Sequence, residues 1–176
     1  NIRLKFRNNL EPLRNYFKLE DAKDKFEIKA IPKIMLVGNH NSGKSTFLNY
    51  FLTNKFDKKL QSTHILNIQK YEKDKTTKAI FYDFGGQDYY HGIYKAFMTN
   101  EALNLIFWKE DSNNNNLGDD STGGFTQNFN REYWIKQVKH FGDRNKSWLI
   151  QTFLDENIRK ALTNDELQKQ IDDEYH

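Results

Sequence analysis

An α/β domain with a mostly parallel sheet flanked by helices is predicted by three features of this 176-residue chain. The runs Ile34-Met35-Leu36-Val37 and Leu103-Asn104-Leu105-Ile106-Phe107-Trp108 are too continuously apolar for strands with one wet face, so they suit strands covered on both sides. Segments with helical apolar spacing alternate with them. Between the first run and the helix after it stands LVGNHNSGKSTF, a glycine-punctuated loop.

Taken in order, residues 9–25 place Leu10, Leu13 and Phe17 on one helical face, with Pro12 early enough for a first turn. Residues 1–29 therefore read as an entry helix and linker, and 30–176 as the domain proper. Ile31 to Val37 is the first buried strand, and Phe47, Leu48, Phe51 and Leu52 mark a helix packed on a sheet. Ile65 to Tyr71 and Lys78 to Phe84 form a strand pair joined by the charged turn EKDKT. Leu103 to Trp108 is a further buried strand. The insert at about 110–128, DSNNNNLGDDSTGGFTQN at its core, is too polar to pack and reads as a mobile surface loop. Trp134, Ile135, Val138 and Phe141 then share a helical face, WLIQTF is a strand, and a polar helix surrounds Asp165 to Ile171.

Composition narrows the function classes. The 27 basic and 24 acidic residues leave a net charge of +3 and are interleaved, so no nucleic-acid partner is needed to explain them. With no cysteine, neither a disulfide framework nor a thiolate metal site is possible, which suits a reducing, cytoplasmic setting. No apolar run approaches the roughly 20 residues of a membrane span. The histidines show no metal-ligand spacing such as HExxH. A chain that starts at Asn1 and stops at His176, straight after a helix-like segment, reads as a piece of a longer protein.

Gly38, Gly43, Lys44 and Ser45 fit GxxxxGK[ST]. In that pattern backbone N–H groups cradle phosphates, the lysine reaches the terminal ones, and the serine ligates magnesium. The loop residues Asn39, His40, Asn41, Ser42 and Thr46 belong to the same cradle, although His40 on its own reads as an exposed loop residue. At the end of the strand Ala79 to Phe84, DFGGQ supplies matching chemistry. Asp83 is a carboxylate for the ion, Gly86 a close-approaching N–H, and Gln87 an amide that orients an attacking water. Thr63, between the two motifs, is either a switch hydroxyl that completes the magnesium shell or a plain surface threonine.

GNHNSGKST, then STHI, then YDFGGQDYYHGIYKAFMT resemble the successive boxes of small Ras-like GTPases, and most of all the Roc domain of bacterial-type Roco proteins. The resemblance covers about residues 30–155 and extends to the entry stretch LEPLRNYF. It implies a Ras-like P-loop NTPase fold, binding of GTP and GDP with Mg2+, and hydrolysis of GTP. It also implies leucine-rich repeats before the domain, a COR segment after it, and a homodimer as one route to an arginine finger.

Two departures follow. The base-specificity box [NT]KxD is here Thr152-Phe153-Leu154-Asp155. Asp155 keeps the acceptor that matches guanine, unless it only caps the following helix, while Phe153 replaces the lysine that covers the base. The family's last base-contacting box, with its final strand, is expected beyond His176. His91 matches a histidine that recurs after the glutamine in Roc-like sequences and is expected on the surface of the switch helix. Tyr89, Tyr90 and Tyr94 are either core or a nucleotide-dependent partner surface, and Phe97 is core. Three functions compete: a slow GTP-hydrolysing switch, a non-hydrolysing guanine-nucleotide scaffold, and an ATP-using P-loop module.

Overall fold

The computed structural model describes residues 31–57, 59–99, 101–120, 122–142, 146–154 and 162–175. The expected entry helix at 9–25 and the base-box residue Asp155 lie outside that set.

Five strands form the main sheet: β1 (Lys33–Gly38), β2 (Leu66–Glu72), β3 (Lys78–Phe84), β4 (Leu103–Trp108) and β7 (Ser147–Gln151), in the order β2-β3-β1-β4-β7. β1 runs parallel to β3 and β4, and β4 parallel to β7, while β2 is antiparallel to β3 at one edge. The mostly parallel sheet is thus as expected. The β2–β3 pairing is closed by Asp74, whose carboxylate accepts the N–H groups of Thr76 and Thr77.

Alternation along β1 sends Ile34 and Leu36 to one face and Met35 and Val37 to the other. The first pair joins a core with Phe47, Leu48 and Phe51 of helix α1 (Lys44–Thr53) and with Phe81 and Phe107. The second joins Tyr94 of α2 (His91–Phe97), Trp134, Ile135 and Val138 of α3 (Arg131–Phe141), and Ile171 of α4 (Asn164–Tyr175). Phe47 meets Phe107 edge-on at 5.1 Å between centroids, so Phe107→Ala would cost about 3–5 kcal/mol. Helix starts follow local chemistry. Asn130 accepts the Tyr133 N–H to cap α3, and Thr163 and Glu166 form a reciprocal capping box before α4. No described helix is long and apolar enough to cross a membrane.

The insert differs from the expected mobile loop. After a short turn at Glu110–Ser112 it forms a hairpin, β5 (Leu117–Asp119) against β6 (Phe125–Gln127). Asp120 shapes the turn by accepting from the N–H groups of Thr122 and Gly124 at 2.8 Å each. Asparagine side chains replace a hydrophobic core there: Asn113 accepts from the Arg131 N–H and Asn115 from the Asn130 N–H. The last strand also stops at Gln151, not Phe153, because Phe153 turns into the left-handed region with φ of 58°.

Candidate functional site: a phosphate-loop cavity

The loop between β1 and α1 closes around its own backbone. At Gly38 (φ 139°) a Cβ would collide with the Phe107 carbonyl, so the strand can turn there only without a side chain. The Lys44 ammonium lies inside the loop, donating to the carbonyls of Gly38 at 2.9 Å and Asn39 at 2.8 Å and to Ser42 Oγ at 3.4 Å. Burial lowers its pKa to about 8, and Asp83 opposes that shift. Its hydrogen-bond partners are neutral oxygens, which leaves a buried positive charge suited to an anion.

Beside it, three oxygens converge. Ser45 Oγ donates to Asp83 Oδ2 at 2.6 Å, Thr63 Oγ1 donates to the same oxygen at 2.8 Å, and the two hydroxyls are 2.8 Å apart. Adjacent ligands of an octahedral magnesium ion, at 2.0–2.1 Å from the metal, stand about 2.9 Å from each other. Asp83 Oδ1 is buried without a partner, and burial pushes the carboxyl pKa up against the pull of Lys44. Two hydroxyls and one carboxylate, whose second oxygen is buried and unsatisfied, therefore fit a small hard cation that fills its other positions with water and phosphate.

Lys44, Ser45 and Thr63 line a cavity of about 360 Å3 at the carboxyl ends of the strands, while Asp83 sits behind the two hydroxyls and lines a neighbouring hollow. Loop residues 40–46, Thr63, Gly86, Thr152 and Phe153 line the cavity, together with Lys109. Gly86 packs so closely on the backbone of Asn39 and His40 that a Cβ would not fit. Thr152 Oγ1 lies 3.0 Å from the carbonyls of both Ser42 and Trp108, tying the end of β7 to the phosphate loop.

Gln87 is not brought to the cavity. It is 2% exposed, absent from the lining, and its Oε1 has no hydrogen-bond partner. The next residue explains the placement: the Asp88 N–H donates to Thr126 Oγ1 at 3.1 Å, and that hydroxyl donates back to Asp88 Oδ1 at 3.0 Å. The hairpin thus holds the segment after β3.

Two histidines differ from expectation. His40, expected to be exposed, is 6% exposed, because the insert folds against that side of the loop. Burial lowers its pKa, Lys44 adds to the effect, and Asp120 of the hairpin turn opposes it. His91, expected on the surface, is 7% exposed in an aromatic box with centroids of Phe129 at 4.9 Å and Trp134 at 4.8 Å. Tyr94 is core at 1% exposure, and Phe97 packs half-buried against the same cluster.

Lys109 is one lining residue that motif reasoning does not reach, alongside Phe56, Leu60, Gln61 and Ser62. Its one sequence signal is position: it follows a fully buried strand directly, and the carboxyl ends of such strands border ligand crevices.

A mostly parallel sheet with a phosphate loop after its first strand and a carboxylate at the end of a neighbouring strand matches a Ras-like P-loop GTPase fold. The family model for Roc, the Ras of Complex domain of DAPkinase, matches residues 33–155, and the chain belongs to that family. A solved Methanosarcina barkeri structure, Roco2 RocCORdC bound to GDP, is similar over 85% of this chain with 27% identity and a TM-score of 0.59. This chain spans 44% of that protein's length. No curated protein sequence matches.

Proposed function

We propose that this domain is a magnesium-dependent guanine-nucleotide switch that binds GTP and GDP and hydrolyses GTP slowly. The observation that carries the proposal is the buried pair of Lys44 and Asp83. One is a cation held by neutral oxygens and lining the cavity, the other a carboxylate with one unpartnered oxygen, held behind the cavity-lining hydroxyls of Ser45 and Thr63. An anion matches the first and a hard cation the second, and a nucleotide with its magnesium ion presents both. The N–H groups of residues 39–46 would hold the phosphates, with Lys44 at the terminal ones. Ser45, Thr63 and Asp83 would hold Mg2+, which when bound neutralises charge on the phosphate oxygens. Gly86 would approach the γ-phosphate. Thr152, Phe153 and Asp155 would form the base side, with Asp155 as the guanine acceptor.

Gln87 would orient the attacking water, which requires the segment after β3 to leave its present packing. That packing also favours a second reading, a domain that binds guanine nucleotide without hydrolysing it and acts as an interaction scaffold. The domain would be one module of a larger cytoplasmic protein, with leucine-rich repeats and a COR segment as neighbours and a homodimer as a working form. The GDP-bound Roco2 relative, which includes a COR portion by name, supports the ligand and the COR neighbour. Single-turnover GTP hydrolysis in magnesium, with bound GTP measured in parallel, decides between the two readings. Release of phosphate that slows in Gln87→Leu supports the switch. Bound GTP with no release above background supports the scaffold.

A further inference from the structure

Lys109 and Phe153 come from different strand ends and meet in the cavity. The Lys109 ammonium stands over the Phe153 ring, 4.9 Å from its centroid, and both residues are half-buried in the lining. Phe153 holds a φ of 58°. A bulky residue in the left-handed region stores about 1–3 kcal/mol, and such strain persists where the surroundings over-determine it, above all at ligand clamps. The surroundings here are plain. Thr152 is anchored to Ser42 and Trp108, and the edge of the Phe153 ring lies against Gly43. The strained turn therefore places an aromatic ring beside the phosphate loop, with a cation on it.

We propose that Lys109 and Phe153 act as one unit, a cationic aromatic wall that holds the base and ribose of the bound nucleotide. The inference rests on the nucleotide reading above and assigns the charge on the base side to a residue outside the base-specificity box. The ring supplies stacking area. The ammonium fixes the ring through its electron-rich face and adds positive charge to a cavity meant for a phosphorylated ligand. Because the two side chains depend on each other, loss of either removes much of what both provide.

The test is equilibrium titration of fluorescent GDP, in magnesium, into the wild-type chain, Lys109→Gln, Phe153→Leu and the double variant. Wild type binds GDP, Lys109→Gln weakens binding about three- to thirty-fold, and the double variant is little weaker than the poorer single one. Phe153→Asn, which tolerates the left-handed backbone, should weaken GDP as Phe153→Leu does while melting no earlier than that variant. Wild-type affinity in Lys109→Gln, or full additivity of the two losses, would overturn the inference and leave the nucleotide reading standing. A wild-type chain that binds no GDP would overturn both.

Discussion

The indole nitrogen of Trp134, in α3, donates to Asn39 Oδ1 in the phosphate loop over 2.9 Å. The same amide also accepts from the Phe129 N–H at 3.1 Å, and its Nδ2 donates to the carbonyls of Ser112 and Phe129 at 2.7 Å each. One buried side chain thus joins the loop, the insert and α3, with every hydrogen-bonding position used. Asn39→Ala would leave several buried groups unpaired and should destabilise the fold by about 2–4 kcal/mol. Urea denaturation checks this, and a loss below about 1 kcal/mol would mean that the network is incidental.

Thr126 holds Asp88, and through it Gln87, away from the cavity. Thr126→Val keeps the volume and removes both hydrogen bonds. If Gln87 must move for hydrolysis, single-turnover GTP cleavage should rise about two- to ten-fold, the worth of a hydrogen bond, with GDP affinity unchanged. An unchanged or slower rate would show that the hairpin does not restrain the catalytic segment.

His91 gives the fold a pH dependence. Burial lowers its pKa to about 4; Asp88 opposes that shift, and Lys44 and Lys95 add to it, each by less than burial. The unfolded chain, with a histidine pKa near 6.5, binds the proton more readily, so stability is full above about pH 6.5 and falls as pH drops toward 4. The loss approaches about 3 kcal/mol. His91→Phe should flatten that part of the urea-stability profile, and an equally steep profile in the variant would assign the dependence elsewhere.

The strands and the phosphate loop were legible because both are local patterns. Ile34 to Val37 needs only its own apolarity to read as a two-sided strand, and Gly38 to Ser45 carries its chemistry in consecutive residues. The insert was not legible, because its order comes from asparagine side chains and from Asn39, which is 90 residues before Phe129 in sequence. Polarity alone reads as solvation. His40 and His91 read as exposed from sequence for the same reason: what buries them arrives from the insert and α3. Gln87 was placed by its motif, whereas its position in the fold is set by Thr126, which no motif names.

Ser45 and Thr63 share Asp83 Oδ2, so the magnesium proposal has a direct consequence. Chelating divalent cations should weaken GTP binding by about tenfold or more, and Ser45→Ala should reproduce much of that loss with little further effect of chelator. Equal affinity with and without magnesium would remove the ion from the account.

The cavity around Lys44 is proposed to bind guanine nucleotide. Calorimetric titration of the chain with GDP and with ADP, each in magnesium, and with Lys44→Ala in parallel, tests it most directly. Expected are saturable binding of GDP, little or none of ADP, and loss of GDP binding in Lys44→Ala, because the buried charge that would face the phosphates is gone. No binding of GDP by the wild-type chain, equal binding of ADP, or undiminished GDP binding by Lys44→Ala would contradict the proposal.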